Sequence, residues 1–160
     1  MKVKIKHNYL LTCCVGVLAL ICVLSIYSPI AFSNQQTERE TSVKHYLVQI
    51  RLAEEKYRAK TGSYTASFDS LIQYGYLADS LQFIPFTNRQ KFELETSMQL
   101  SPSGKQIPLM ECRAKYTDFL QGLNKSFVQE LIENELSAGR YPGLKIGDLQ
   151  TPNNNAGNWE

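Results

Sequence analysis

The sequence predicts an α+β fold behind a single membrane anchor. Three patterns support this: an apolar run from Tyr9 to Tyr27, an apolar stripe at helical spacing between Val43 and Tyr57, and alternation over residues 91–100. We expect an N-terminal transmembrane helix continuing toward an amphipathic helix, followed by a small antiparallel sheet of about three strands. One further C-terminal helix completes the predicted fold.

The apolar run is long enough to cross a lipid bilayer. Tyr9 to Tyr27 supplies 19 residues without a charged side chain, and a helix of about 20 apolar residues spans the hydrocarbon core. Three lysines stand among the first six residues, and all 15 acidic residues follow the run. Because basic flanks stay in the cytoplasm, we expect residues 1–8 to be a cytoplasmic flank and residues 9–28 a transmembrane anchor, with the rest exported.

A cleaved signal peptide is the alternative to a retained anchor. The segment Ala31-Phe32-Ser33 is an acceptable small-x-small cleavage site. The apolar region of a signal peptide is usually about 7–15 residues long, and this run is longer. Its length therefore favours an anchor that stays attached.

A juxtamembrane amphipathic helix is expected over residues 33–62. Ser33 or Thr37 would cap its start after the region of Pro29, and Gly62 would end it. Its apolar residues recur at steps of three and four, which places them on one helix face: Val43, Tyr46, Leu47, Ile50, Ala53 and Tyr57.

Residues 63–150 are expected to form the small exported α+β domain. The segments 81–86, 91–100 and 106–114 are predicted as three strands of an antiparallel meander. Pro85 would place the first of them at an edge or a bulge, because proline has no N–H to donate.

Helices and a polar tail are expected around this sheet. Ser67 would cap a short helix before the first strand, and residues 126–138 form an amphipathic pattern that ends at Gly139. Residues 151–160 are an asparagine-rich tail, polar except for Trp159.

The sequence contains no recognisable catalytic pattern. The only histidines, His7 and His45, fall on opposite sides of the anchor, and no serine lies in a Gly-x-Ser-x-Gly context. The pair Glu54-Glu55 is expected to be solvated charge on a helix. We therefore predict no enzymatic activity and no cofactor.

Charge and cysteine usage narrow the classes of partner. Beyond the anchor, 14 Lys and Arg stand against 15 Asp and Glu, which gives no electrostatic reason to bind nucleic acid. Cys112 is the only cysteine outside the apolar run. We expect it to be a small buried residue, with an intermolecular disulfide as the alternative.

A metal site is not predicted either, although the tail offers oxygen ligands. Asp148 with Asn153, Asn154 and Asn155 could approach a calcium ion, but hard cations favour more carboxylates. The alternative is that these asparagines hydrogen-bond their own turns.

Residues 50–77 resemble the early globular part of type IV pilins and type II secretion pseudopilins. Those proteins place a tyrosine late in a long N-terminal helix, then Gly-x-Tyr, then a short helix that leads to a sheet. The matching positions are Tyr57, Gly62, Tyr64, Leu71 and Leu77. Pilins also carry a glutamate five residues after the processing glycine, where this chain has Ile21 after Gly16.

The exported part is also similar to a family of single-span bacterial envelope proteins. The shared segments are the Gly-x-Tyr-Thr-x-Ser-Phe-Asp stretch at 62–69, Tyr-Pro-Gly-Leu-Lys at 141–145, and the Asn-Asn-Asn-Ala-Gly-Asn-Trp-Glu end at 153–160. This resemblance implies an inner-membrane location with a periplasmic domain, and it implies no activity.

Two hypotheses for function follow from these patterns. The first is a pilin-like or pseudopilin-like structural or adaptor subunit of a secretion or surface assembly, which leaves a homo-oligomer open. The second is a monomeric periplasmic protein-binding module that uses its C-terminal tail. Candidate partner-binding residues are Trp159, Tyr57 and Tyr64.

Overall fold

The computed structural model describes residues 7–101 and 104–160, so most of the predicted basic flank lies outside the described residues. Contacts divide the chain into two compact units, the first ending at Gln35 and the second covering Gln36–Glu160. The α+β class is confirmed. The elements in chain order are α1 (His7–Thr61), α2 (Phe68–Gln73), a 3-10 turn (Asp79–Gln82), β1 (Glu93–Leu100), β2 (Gln106–Lys115), α3 (Tyr116–Phe119), α4 (Lys125–Ser137) and β3 (Gly143–Gly147).

Helix α1 is continuous over 55 residues and contains Pro29. The expected second start at Ser33 or Thr37 is therefore absent, and Thr37 instead accepts an in-helix bond from the Thr41 hydroxyl. No glycine lies between residues 17 and 61, and the residues just after Pro29 include several good helix formers, so the helix continues.

The first unit presents an apolar helix surface. Wherever their side chains are described, the residues from Tyr9 to Ile30 are exposed. Within the described chain, one helix, Tyr9–Thr61, is long and apolar enough to cross a membrane. This composition is compatible with anchoring in a bilayer.

In the second unit, α1 buries the predicted stripe. Val43, Leu47, Ile50 and Ala53 are buried in one core cluster with residues of all three strands. Gly62 ends the helix as predicted, with a φ of +87° that glycine adopts at little cost.

The sheet is antiparallel with the order β1-β2-β3. Leu94 pairs with Cys112, and Cys112 pairs with Ile146, so these buried side chains share the face that packs on α1. This register explains why Cys112 is buried, as predicted.

One of the three predicted strands is wrong. Residues 81–86 enter the 3-10 turn and then make a single bridge, from Phe83 to Lys91. Pro85 has no N–H for a ladder, so pairing stops there. The third strand is instead β3, in a segment for which no strand was predicted.

The remaining helices are short and locally capped. Ser67 caps α2 as predicted, by accepting the backbone N–H of Ser70. Asn124 caps α4 in the same way through Ser126, which places α4 close to the predicted residues 126–138.

Candidate functional site

Tyr64 joins α1 to the C-terminal tail. The turn after Gly62 buries its ring, and its hydroxyl accepts hydrogen bonds from the guanidinium of Arg58 (2.9 Å) and the side-chain amide of Asn155 (2.8 Å). The guanidinium carbon also lies 5.1 Å from the ring centre. Tyr64, predicted as a partner-binding residue, is thus an internal link.

The asparagine-rich tail packs on the domain rather than extending from it. The Gly147 N–H donates to the Ala156 carbonyl, and the Asn158 N–H donates to the Lys145 carbonyl, both at 3.0 Å. A bridge between Ile146 and Gly157 places the tail beside β3. The tail therefore covers one edge of the sheet.

An arginine of α1 fastens the tail at a second point. The guanidinium of Arg51 donates to the Asn155 carbonyl at 3.2 Å and to the Glu160 carboxylate at 2.8 Å. We call the set Arg51, Tyr64, Asn155 and Glu160 the tail clasp. It converts a polar segment into part of the folded domain.

Trp159 is a packing residue with one side left open. Its ring is half-buried against the core, and the Lys44 ammonium lies 5.8 Å from the ring centre. A Cβ on Gly157 would come within 2.6 Å of the ring, so glycine is needed to seat it. The rest of the ring is exposed to solvent.

Tyr57 lies in a small aromatic cluster. Its ring meets Tyr74 edge-on at 5.3 Å, and Tyr74 stacks on Tyr76 at 5.8 Å. The Lys60 ammonium lies 4.8 Å from the Tyr74 ring centre. Of the predicted residues, Tyr64 and Trp159 are therefore both held in the packing of the tail, while Tyr57 belongs to this other cluster.

Glu54 is a buried carboxylic acid, contrary to the prediction of a solvated charge. Its side chain is 0% exposed, and one carboxyl oxygen accepts the Thr65 N–H at 3.0 Å. The other oxygen has no hydrogen-bond partner among the described residues. Because burial outweighs that single hydrogen bond, it raises the pKa of Glu54 to about 7.

The stripe itself contained the signal for this burial. Position 54 follows Ile50 by four and Leu47 by seven, which is the spacing of the buried face. A carboxylate at a stripe position indicates a buried group. The pattern is easily missed here, because Glu54 and the adjacent Glu55 together resemble an ordinary pair of solvated charges.

The groups considered for chemistry are separated. His45 is exposed, and burial raises the pKa of the Cys112 thiol well above its usual value. In the described part of the chain, no group of three His, Cys, Asp or Glu side chains is arranged to hold a metal ion.

The residues suggested for calcium are engaged in turns. The Asp148 carboxylate accepts the N–H groups of Gln150 (2.7 Å) and Thr151 (3.0 Å). The Asn153 amide donates to the Ala156 carbonyl at 3.4 Å. These bonds favour the self-bonded tail that we gave as the alternative to a calcium site.

The other face of the sheet is ionic. Arg113 forms ion pairs with Glu93 and Glu95 at 2.6 Å and with Glu111 at 2.8 Å, and Lys145 pairs with Glu111 at 2.9 Å. Opposite charges across neighbouring strands stabilise their pairing modestly.

Comparisons with models of protein families, with curated proteins and with solved structures gave no match to the chain.

Proposed function

We propose that this chain is a non-enzymatic, single-span envelope protein that serves as a pilin-like or pseudopilin-like structural or adaptor subunit. The observation that carries the proposal is α1 itself. One helix supplies both an exposed apolar segment and the buried stripe at the centre of the α+β domain.

The turn after α1 supports the same architecture. Gly62 releases the helix, and the buried Tyr64 packs beside it, in the order in which the resemblance to pilins places them. We propose that the chain associates with its neighbours through α1. The lysines before the apolar run support an anchor in the inner membrane with a cytoplasmic N-terminus. The C-terminal domain would then lie in the periplasm.

The exposed side of α1 offers a place for a neighbouring protein. Leu52 is a large apolar residue of the second unit's helix that is 44% exposed, beside the exposed Glu55 and Lys56. We place the contact with a neighbouring protein at Leu52, inside this charged rim, because the rims of protein interfaces are polar.

Site-specific photo-crosslinking tests this proposal. A photoreactive amino acid at Leu52, in the full chain expressed in membranes, should give a defined crosslinked species, either with a copy of the chain or with an envelope partner. The same reagent at Gln129, an exposed position on α4, is the control. Absence of a Leu52 adduct in membrane-inserted protein would contradict an assembly built through α1.

Processing of the N-terminus distinguishes a filament subunit from an adaptor subunit. A filament subunit predicts a new N-terminus after Gly16, whereas an adaptor keeps Met1. Because the apolar run lacks a carboxylate, we propose the adaptor. Intact mass measurement on the membrane form distinguishes the two.

The alternative, a monomeric periplasmic module that binds protein through its tail, is favoured by the open side of Trp159. In that case Trp159→Ala would abolish co-purification of a partner while the melting temperature stays unchanged. A lower melting temperature with the partner retained would assign Trp159 to packing alone.

A further inference from the structure

The loop between the 3-10 turn and β1 carries an exposed aromatic residue in an unusual conformation. Phe86 has a φ of +64°, and 49% of its surface is exposed. A bulky residue in the left-handed region is a genuine outlier, which persists only where its surroundings hold it there. The half-exposed ring gains only partial burial in return for this strain.

Hydrogen bonds within the loop hold this conformation. The Thr87 hydroxyl donates to the Ile84 carbonyl at 2.7 Å and accepts the Gln90 N–H at 3.2 Å. The Ile84 N–H donates to the Gln90 carbonyl at 2.7 Å. We call residues 83–91 the Phe86 loop. Its tip is a braced turn that holds the half-exposed Phe86 ring against Arg39 of α1.

Cations surround the aromatic rings of the loop. The guanidinium carbons of Arg39 and Arg89 lie 5.0 Å from the Phe86 ring centre and 4.8 Å from the Phe83 ring centre, respectively. The Lys91 ammonium lies 6.0 Å from the Phe83 ring centre. None of these three cations forms an ion pair with a carboxylate in the described chain.

The surface is therefore both aromatic and basic. Arg89 and Lys91 are the only charged residues between Asp79 and Glu93. Arg39 lies against the Phe86 ring and is fixed by hydrogen bonds to the carbonyls of Phe119, the last residue of α3, and of Gln121. Apolar side chains such as Phe bury at the boundary between headgroups and acyl chains, and unpaired cations are attracted to anionic headgroups.

We propose that the Phe86 loop docks on a membrane surface that carries anionic phospholipid headgroups. Phe86 enters the interfacial layer, and Arg89 and Lys91 contact phosphates. This inference rests on the anchoring part of the proposed function. It adds a second membrane contact, made by the folded domain itself.

The length of the chain favours a membrane over an acidic protein as the occupant. Nine peptide steps separate Ile30, in the exposed apolar run, from Arg39. Even fully extended, these steps keep Arg39 within about 32 Å of Ile30. An anchored chain therefore holds the Phe86 loop near a bilayer at a high effective concentration.

Fluorescence quenching in vesicles tests the docking. The full chain carries Phe86→Trp in a Trp159→Phe background, so the reporter is its only tryptophan, and the vesicles contain lipid with brominated acyl chains. One set is phosphatidylcholine alone and the other includes phosphatidylglycerol. A carbonate wash comes first, so that a failure of anchoring is detected separately from a failure of docking.

We expect quenching of the reporter in the vesicles that contain phosphatidylglycerol, and weaker quenching in phosphatidylcholine. High salt should reduce it, because the screening length falls from about 10 Å at 0.1 M to about 3 Å at 1 M. Adding Arg89→Gln with Lys91→Gln should lower the ratio of docked to undocked chain about 25-fold, at roughly fivefold per cation.

The matched control removes the same charge elsewhere. Lys56 and Lys105 are both exposed, and Lys56→Gln with Lys105→Gln should leave the quenching unchanged. A washed, membrane-bound chain whose reporter is not quenched would overturn the proposal, as would equal losses in the two double variants. A blue shift that follows protein density instead of lipid charge would assign the loop to contacts between proteins.

Discussion

Replacing Glu54 with glutamine removes an ionisable group from the core with little change of shape. Glu54 is fully buried, and the variant can still accept the Thr65 N–H through its amide oxygen. The two chains therefore differ mainly in whether this position can ionise.

The pKa of Glu54 sets the size of the effect. Burial raises it from 4.5 to about 7, and each pKa unit corresponds to about 1.4 kcal/mol, so ionisation costs the folded chain about 3 kcal/mol. Below pH 4.5, which is the pKa of Glu54 in the unfolded chain, the folded and unfolded chains both hold the proton. Glu54 therefore does not reduce the free energy of unfolding there. Between there and the folded value the unfolded chain ionises first, so the free energy of unfolding falls as pH rises.

Urea unfolding from about pH 4 to about pH 8, followed by the single tryptophan of the full chain in detergent micelles, measures this loss. Over that range the free energy of unfolding of the wild type should fall by about 3 kcal/mol more than that of Glu54→Gln. Glu55→Gln, at the exposed neighbour, should keep the wild-type profile. Parallel profiles for Glu54→Gln and the wild type would refute a buried, neutral carboxylic acid.

Three further substitutions test the packing around α1 and the sheet by the same unfolding measurement. Tyr64→Phe leaves the amide of Asn155 without its acceptor and should cost about 1–3 kcal/mol; an unchanged midpoint would contradict the link. Gly62→Ala places a side chain at positive φ and should cost about 1–2 kcal/mol. Gly147→Ala adds to that strain a collision with the Met110 carbonyl, so a loss no greater than that of Gly62→Ala would refute the close approach of β3.

Periodicity predicted the helical part of the fold well. The stripe from Val43 to Ala53 is buried as expected, because one face of a long helix repeats often enough to be recognised. Gly62 was predictable for the same kind of reason, since glycine at a helix end has a specific conformational use.

The sheet was predicted only where its strands are long. β1 and β2 are eight and ten residues long, whereas β3 has only five residues and begins and ends with glycine. A segment that short becomes a strand through its pairing with β2, which no local pattern records. Residues 81–86 gave the opposite error, since a strand was predicted there and none formed. The segment has the composition of a strand, but Pro85 has no N–H group for continuous pairing.

The residues of the candidate sites divide in the same way, into those that a repeating pattern predicts and those that depend on tertiary contacts. The burial of Glu54 could have been found from its place on the stripe. The left-handed Phe86 could not, because phenylalanine gives no sign of a positive φ and the loop's brace depends on tertiary geometry. The tail clasp was likewise hidden, since it joins residues about 100 positions apart.

The most direct test of the central proposal is where the two ends of α1 lie in a cell. Bacterial membranes that contain the full chain are washed with alkaline carbonate, and spheroplasts are treated with protease. We predict that the intact chain stays in the membrane pellet and that its C-terminal domain is digested in spheroplasts but protected in intact cells. Release of the chain into the carbonate supernatant, or protection of the domain in spheroplasts, would contradict a membrane-anchored periplasmic subunit.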